Sequence, residues 1–226
     1  MFDLTTLFIE VFNLSISAGW IVLAVVLLRF LLKKAPKWIN CLWWLLVGIR
    51  LVFPFSVESI FSLIPSAKVV SPDIIYSPSP SISTGIPALN TVVNPVISES
   101  FAPYLSNSVN PLQVVAILGS YVWLIGIAVM VIYAVVCYVL LKRKMRTAVK
   151  YEGNIFESEN VQSPFILGIF KPKIYLPFGL TDENRNHIIS HENAHLKRKD
   201  HLIKPVAYLI LSVYWFNPLM WLSYVL

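Results

Sequence analysis

Between Gln113 and Leu141 the chain runs for 29 residues without one charged side chain, and no other feature constrains its fold as strongly. As a helix rising about 1.5 Å per residue this run measures about 43 Å, enough to cross a hydrocarbon core of about 30 Å with tilt or to project beyond it. Three further apolar runs accompany it. Leu14 to Leu32 carries only Arg29, and Trp38 to Val57 is interrupted by Arg50 and Pro54, with Trp38, Trp43 and Trp44 near its start as an interfacial belt. Val206 to Leu226 is broken only by Asn217-Pro218. Of the 226 residues, 57% are hydrophobic and 13% charged, against about 45–50% and about 25% in globular proteins. That balance disfavours a soluble enzyme, a disordered tail and a disulfide scaffold. The two cysteines, Cys41 and Cys137, each sit inside an apolar stretch and suggest no disulfide framework.

The net charge of +6 acquires meaning only from where the basic residues lie. Eleven of the 18 fall between Lys142 and Lys199, and Arg29, Lys33, Lys34 and Lys37 cluster at the end of the first apolar run. This is the pattern of membrane topology, so direct nucleic-acid binding is not expected. Basic flanks belong in the cytoplasm, which sets the amino terminus outside and makes the four spans alternate in direction. The first run is followed, not preceded, by its basic cluster, so it reads as a retained anchor and not a cleaved signal. Arg50 either snorkels to the far interface or pairs inside the bundle.

The expected architecture is therefore mainly α and integral to the membrane. It comprises transmembrane helices one and two within residues 1–58 (14–32 and 38–57), an extracellular Pro/Ser-rich loop at 59–112, helix three at 113–141, a cytoplasmic domain at 142–201, and helix four within 202–226. Seven prolines between Ser59 and Asn110 predict an extended, solvated loop with polyproline character. In the cytoplasmic segment, Val161 to Pro177 reads as two short strands joined as a hairpin through Gly168 and Lys171-Pro-Lys173. Leu180 to Asp200 reads as a helix with Thr181 as N-cap, Asp182 and Glu183 at the positive end of its dipole and Lys197 to Lys199 at the negative end.

All four histidines lie between residues 187 and 201, and two of them form His191-Glu192-Asn193-Ala194-His195, an H-E-x-x-H pattern. With this composition the pattern is expected by chance about 0.002 times in such a chain. On a helix, positions i and i+4 share a face, so two imidazoles can grip one Zn²⁺ while Glu192 sits beside the reacting water as general base. His187 extends the series to i, i+4, i+8, but it stands about 12 Å from His195 along the axis, too far to share one ion with it. It is read as a helix-face residue. Asp200 could orient a ligand imidazole or be an ordinary surface acid. A catalytic zinc site has three protein ligands and an open position. The third ligand is not evident: Glu152, Glu157 and Glu159 lie on the right side of the membrane but have no motif around them.

Three stretches, Ser163 to Pro177, His191 to His201 and Phe216 to Trp221, occur in the order found in the BlaR/MecR-type integral-membrane zinc metallopeptidases, metallopeptidase family 56, which the chain resembles. Arg50 to Ser56 also looks like that family's second helix. The resemblance implies a four-helix transmembrane bundle with a small cytoplasmic α+β gluzincin-like zinc domain between helices three and four. His191 and His195 would bind zinc and Glu192 would activate water. It also implies a third ligand, a glutamate, shortly beyond the Asn-Pro-x-x-Trp helix. That position would follow Leu226, so the chain is expected to be a fragment with helix four incomplete. Some relatives carry an extracellular penicillin-binding sensor domain and trigger loss of a cytoplasmic repressor. The outer loop here has no Ser-x-x-Lys pattern, and Ser66-Ala-Lys68 has the wrong spacing.

Together these readings predict a membrane-embedded zinc metalloendopeptidase of a bacterial plasma membrane. It would cleave a protein substrate, for example a cytoplasmic transcriptional repressor, on the cytoplasmic side, and the hairpin would offer an edge strand for the substrate backbone. The competing class is a catalytically inactive signalling or scaffold protein with an incomplete zinc site. A transporter would require polar residues through several helices, and helix three has almost none.

Overall fold

The computed structural model describes residues 3–32, 37–52, 69–77, 80–84, 86–101 and 111–226, with the side chains of 37–41 left out. The Lys33-Lys34 cluster, Pro54, the end of the expected second span and Ser66 to Lys68 lie outside the described residues. The chain is mainly helical and divides into two compact units, Met1–Ile127 with Val213–Leu226, and Ala128–Ser212. The helices are α1 (Leu4–Leu31), α2 (Lys37–Val52), α3 (Pro87–Phe101), α4 (Pro111–Lys144), α5 (Asp182–Lys197), α6 (Asp200–Val213) and α7 (Pro218–Val225).

Among the described residues two helices, α1 and α4, are long and apolar enough to cross a membrane. None of the most apolar 18-residue window of α4 is buried in protein, whereas 44% of that of α1 is. A helix apolar on all sides and uncovered by its own chain is one suited to a lipid solvent.

In the first unit α1 begins ten residues before the expected span, because Asp3 caps it by accepting from Thr5 N at 3.1 Å. Its buried face is unusually polar, and the side chains of Asn13, Ser15 and Ser17 there have partners. Asn13 clamps the backbone of Val70 from both sides, donating to its carbonyl at 2.7 Å and accepting from its N–H at 2.9 Å. Ser15 accepts from Asn217 Nδ2 at 2.7 Å, and Ser17 donates to Asn13 O at 3.0 Å. Such paired polar groups give apolar helices a specific register that dispersion alone does not. Phe8, Phe12, Trp123 and Phe216 pack with ring centroids 5.9–6.4 Å apart. A Cβ at Gly126 would overlap the Trp215 indole, so only glycine lets these elements approach so closely.

Two expectations are corrected in this unit. Part of the region expected as an extended loop is helical: Pro87 sets the first turn of α3, as proline can at a helix start. The side chains of Asn90 and Asn94 then hold residues 82–84 against the helix, with Asn94 bonded to both backbone groups of Ile82 at 2.9 and 3.1 Å. The expected fourth span, the run 206–226 interrupted at Asn217-Pro218, is two helices, α6 and α7, separated by a turn at Tyr214–Phe216. Asn217 caps α7, accepting from Leu219 N at 2.9 Å, and Pro218 occupies its first turn. A four-helix transmembrane bundle is therefore not what the described residues display.

The second unit carries a four-stranded sheet in the order β1-β2-β4-β3, with β1 Val149–Glu152, β2 Ile155–Glu157, β3 Phe165–Leu167 and β4 Lys173–Leu176. The expected hairpin is β3–β4, antiparallel with Ile166 opposite Ile174. Gly168 at φ 114 makes its turn, where a Cβ would meet the carbonyl of Lys171. The strands β1 and β2 extend the sheet beyond the expected hairpin. β4 pairs with β2 in parallel, and the sheet closes over Met145, Val161 and Tyr175.

Candidate metal centre

The site is built on α5. Thr181 occupies its N-cap position in extended conformation, but its side chain makes no capping bond. Arg185 anchors the helix instead. It lies 3.2 Å from Glu157 of β2, both about one-seventh exposed, and the pair is off the line of a hydrogen bond, so the attraction is chiefly coulombic. Arg185 also donates to Asp182 at 2.7 Å and to the carbonyl of Leu180 at 3.2 Å, and stacks 4.7 Å from the Tyr151 ring. Of the three glutamates considered as third ligands, Glu157 is thus committed to Arg185, while Glu152 and Glu159 are exposed.

Further along α5 the two imidazoles meet. His191 Nε2 and His195 Nε2 are 3.2 Å apart, with ring planes at 78°. Two nitrogens each about 2.05 Å from one ion and 3.2 Å from each other subtend about 100° at it, close to tetrahedral. The pair therefore fits two positions of a tetrahedral zinc site.

The outer face of His195 decides its tautomer. Asp200 Oδ2 is 2.6 Å from His195 Nδ1. Burial alone would push the Asp200 carboxyl up, but hydrogen bonds from His195 and Arg198 outweigh it and hold that carboxyl below its ordinary value. An ionised carboxylate only accepts, so Nδ1 carries the proton and Nε2 presents a lone pair toward His191. Arg198 Nη2 lies 2.8 Å from Nδ1 and 3.0 Å from Asp200 Oδ2. Being a donor, it bonds to the carboxylate and is merely adjacent to the protonated Nδ1.

Chain geometry brings Asp200 there. Lys199 adopts φ 59, the left-handed region, at the break between α5 and α6. Arg198 N bonds to Ala194 O at 3.1 Å and Lys199 N to Leu196 O at 3.0 Å, closing the last turn. Glu192 is the one buried residue of α5, 9% exposed, whereas His187 and His191 are exposed. His201 Nδ1 is buried without a hydrogen-bond partner. Among the described residues no group of three or more His, Cys, Asp or Glu side chains is placed to hold a metal.

α5 also packs against β3, an outer strand of the sheet. Ile174 N donates to Asn154 O and Leu176 O accepts from Ser158 N, so residues 174 and 176 face β2 and Tyr175 faces β3. Antiparallel alternation then pairs Phe165 and Leu167 with β4 and turns the backbone N–H and C=O of Ile166 outward.

Helix, histidine pair and adjoining sheet define a candidate metallopeptidase centre, and comparison with known proteins gives the class. Residues 9–225 match the family model described as BlaR1 peptidase M56, so the chain belongs to that family, whose peptidases are metallopeptidases. Regulatory protein BlaR1 of Bacillus licheniformis is 39% identical over 64 residues, 27% of this chain and 11% of that protein. The methicillin resistance mecR1 protein of Staphylococcus aureus (strain Mu50 / ATCC 700699) is 30% identical over 70 residues, 29% of this chain and 12% of that protein, as is its namesake in Staphylococcus epidermidis. The chain thus spans little more than a tenth of the length of these curated relatives, and BlaR1-type relatives are membrane proteins.

Proposed function

We propose that this chain is the membrane-embedded catalytic part of a zinc metalloendopeptidase that hydrolyses a protein substrate, such as a transcriptional repressor, on the cytoplasmic side of a bacterial plasma membrane. The observation that carries the reading is the 3.2 Å approach of the two Nε2 atoms, with Asp200 fixing the outer nitrogen of His195. His191 and His195 hold the ion, and a third donor is not evident among the described residues. Zinc, when bound, supplies a Lewis acid that makes water a nucleophile near neutral pH and polarises the scissile carbonyl. Glu192 takes a proton from the attacking water onto its carboxylate and delivers it to the leaving amine. Asp200 keeps His195 in the tautomer that offers Nε2. The outward backbone of Ile166 pairs with an extended substrate, adding it to the sheet beside α5. Membrane insertion rests on α1 and α4, with the basic residues after Leu141 on the cytoplasmic side.

A second reading, an inactive signalling or scaffold protein, draws on the missing third donor among the described residues. Metal analysis of the purified chain beside Glu192→Gln, followed by a cleavage assay, separates the two. Equal zinc in both chains, with hydrolysis reduced about 10²–10⁴-fold only in the variant, supports the enzyme. Hydrolysis that survives in Glu192→Gln refutes the assigned base, and a wild-type chain that neither binds zinc nor cleaves supports the scaffold.

A further inference from the structure

Immediately after the uncharged run, the end of α4 and the turn that follows it carry four cations within five residues: Lys142, Arg143, Lys144 and Arg146. Three of them, Lys142, Arg143 and Arg146, line one cleft of about 490 Å³, together with Lys173, Phe156 and Tyr175 of the sheet. That volume lies within the range of small-molecule sites. Lys173 Nζ sits 4.2 Å above the Phe156 ring. Among the described residues none of these four cations is ion-paired with a carboxylate; Glu157 is taken by Arg185 and Asp200 by Arg198 and His195. Four like charges around one concavity repel one another unless an anion enters it.

The remaining walls distinguish between anions. Val139, from the end of the apolar run, forms one edge, and Met145 and Tyr175, both nearly fully buried, lie beneath. A freely hydrated phosphate has no use for such a surface, whereas a glycerol backbone leading to acyl chains does. The cleft also straddles the residues at which α4 changes from apolar to basic, which is the level of lipid headgroups if α4 crosses the bilayer.

We propose that this cleft is a binding site for an anionic phospholipid of the cytoplasmic leaflet, its phosphate held by Lys142, Arg143, Arg146 and Lys173 and its glycerol resting on Tyr175 and Val139. The site goes beyond the peptidase reading and uses none of its zinc, catalytic or substrate-pairing residues, though its level at the headgroups rests on α4 crossing the bilayer as that reading has it. It ties the sheet that borders α5 to the membrane surface through a lipid.

The test is native mass spectrometry of the full chain from a neutral detergent, titrated with phosphatidylglycerol or phosphatidylcholine. One phosphatidylglycerol should bind at least tenfold more tightly than phosphatidylcholine. Each cation near an anionic headgroup contributes about fivefold, so Arg146→Gln/Lys173→Gln should weaken phosphatidylglycerol on the order of 30-fold and Arg146→Gln alone about fivefold. Arg146 is exposed, so its single variant reports on binding even if the double variant folds poorly. The control Lys150→Gln/Lys171→Gln, which removes two exposed cations outside the cleft, should leave affinity unchanged. Equal affinity for the two lipids overturns the proposal, as does an equal loss in the control. Complete displacement of phosphatidylglycerol by millimolar inorganic phosphate would overturn it too, assigning the cleft to the free ion.

Discussion

Removing the Asp200 carboxylate should loosen zinc without touching a ligand. The 2.6 Å contact between Asp200 Oδ2 and His195 Nδ1 is short enough for a charge-assisted hydrogen bond, and Asp200 is only 23% exposed, so water replaces it poorly. Loss of such an outer partner typically weakens metal binding by 10–100-fold, about 1.4–2.7 kcal/mol. Asp200→Ala should fall in that range. Asp200→Asn keeps the shape and one acceptor oxygen but not the charge, and charge-assisted bonds are about twice as strong as neutral ones. Its loss should therefore be about half as large on the logarithmic scale, roughly 3–10-fold. Arg198→Gln is the internal control: it removes a neighbour of Asp200 that is 62% exposed and should change affinity by less than about threefold. Affinity is read by competition against a chromogenic chelator, a measurement independent of turnover. Asp200→Ala binding zinc within twofold of wild type refutes the assignment of Nδ1 as donor to Asp200, as does an asparagine variant weaker than the alanine one.

Four further outcomes follow from the same geometry. Arg185→Met leaves Glu157 unpaired in a largely buried position and should destabilise the chain by about 2–3 kcal/mol in thermal unfolding, whereas Asp182→Ala, whose side chain is 92% exposed, should shift stability by under about 0.5 kcal/mol. Lys199→Gly relieves a left-handed residue at φ 59 and should raise stability by about 0.5–1 kcal/mol; a lower melting temperature would contradict the strain. Gly126→Leu forces a side chain into the Trp215 indole and should destabilise by about 1–3 kcal/mol, measured by the same unfolding assay. Ile166→Pro deletes an outward N–H that β4 does not use, so cleavage of a protein substrate should fall at least tenfold with little change in melting temperature; unchanged cleavage removes β3 from substrate binding.

What the sequence made legible was local chemistry. H-E-x-x-H needs only helical periodicity to bring its imidazoles together, and the 3.2 Å approach of His191 and His195 is the consequence of four residues of rise. The β3–β4 hairpin was equally readable, because Gly168 and Pro172 punctuate it within a few residues. The sequence leaves Asp200 open between two roles, and the reason is physical. Whether a residue five positions beyond His195 returns to it depends on Lys199 adopting a left-handed conformation, for which lysine carries no propensity signal. The helix α3 is illegible for a related reason: proline count argues for extended chain, yet Pro87 at a helix start does not oppose a helix.

The Asn-Pro-x-x-Trp stretch shows how a motif can carry the family resemblance through structure instead of catalysis. Asn217 caps α7 with its oxygen and donates from its amide nitrogen to Ser15 at 2.7 Å, while Trp221 Nε1 returns to the carbonyl of Trp215 at 2.8 Å. Replacing Asn217 by leucine would strand the Ser15 hydroxyl and the first donors of α7 inside an apolar unit, where each unmet polar group costs about 1–3 kcal/mol. A residue that satisfies two elements at once cannot be exchanged without disturbing both. The sequence marks Asn217-Pro218 only as an interruption of the apolar run 206–226. The effect of Asn217 is to start α7 and bind α1 at one residue.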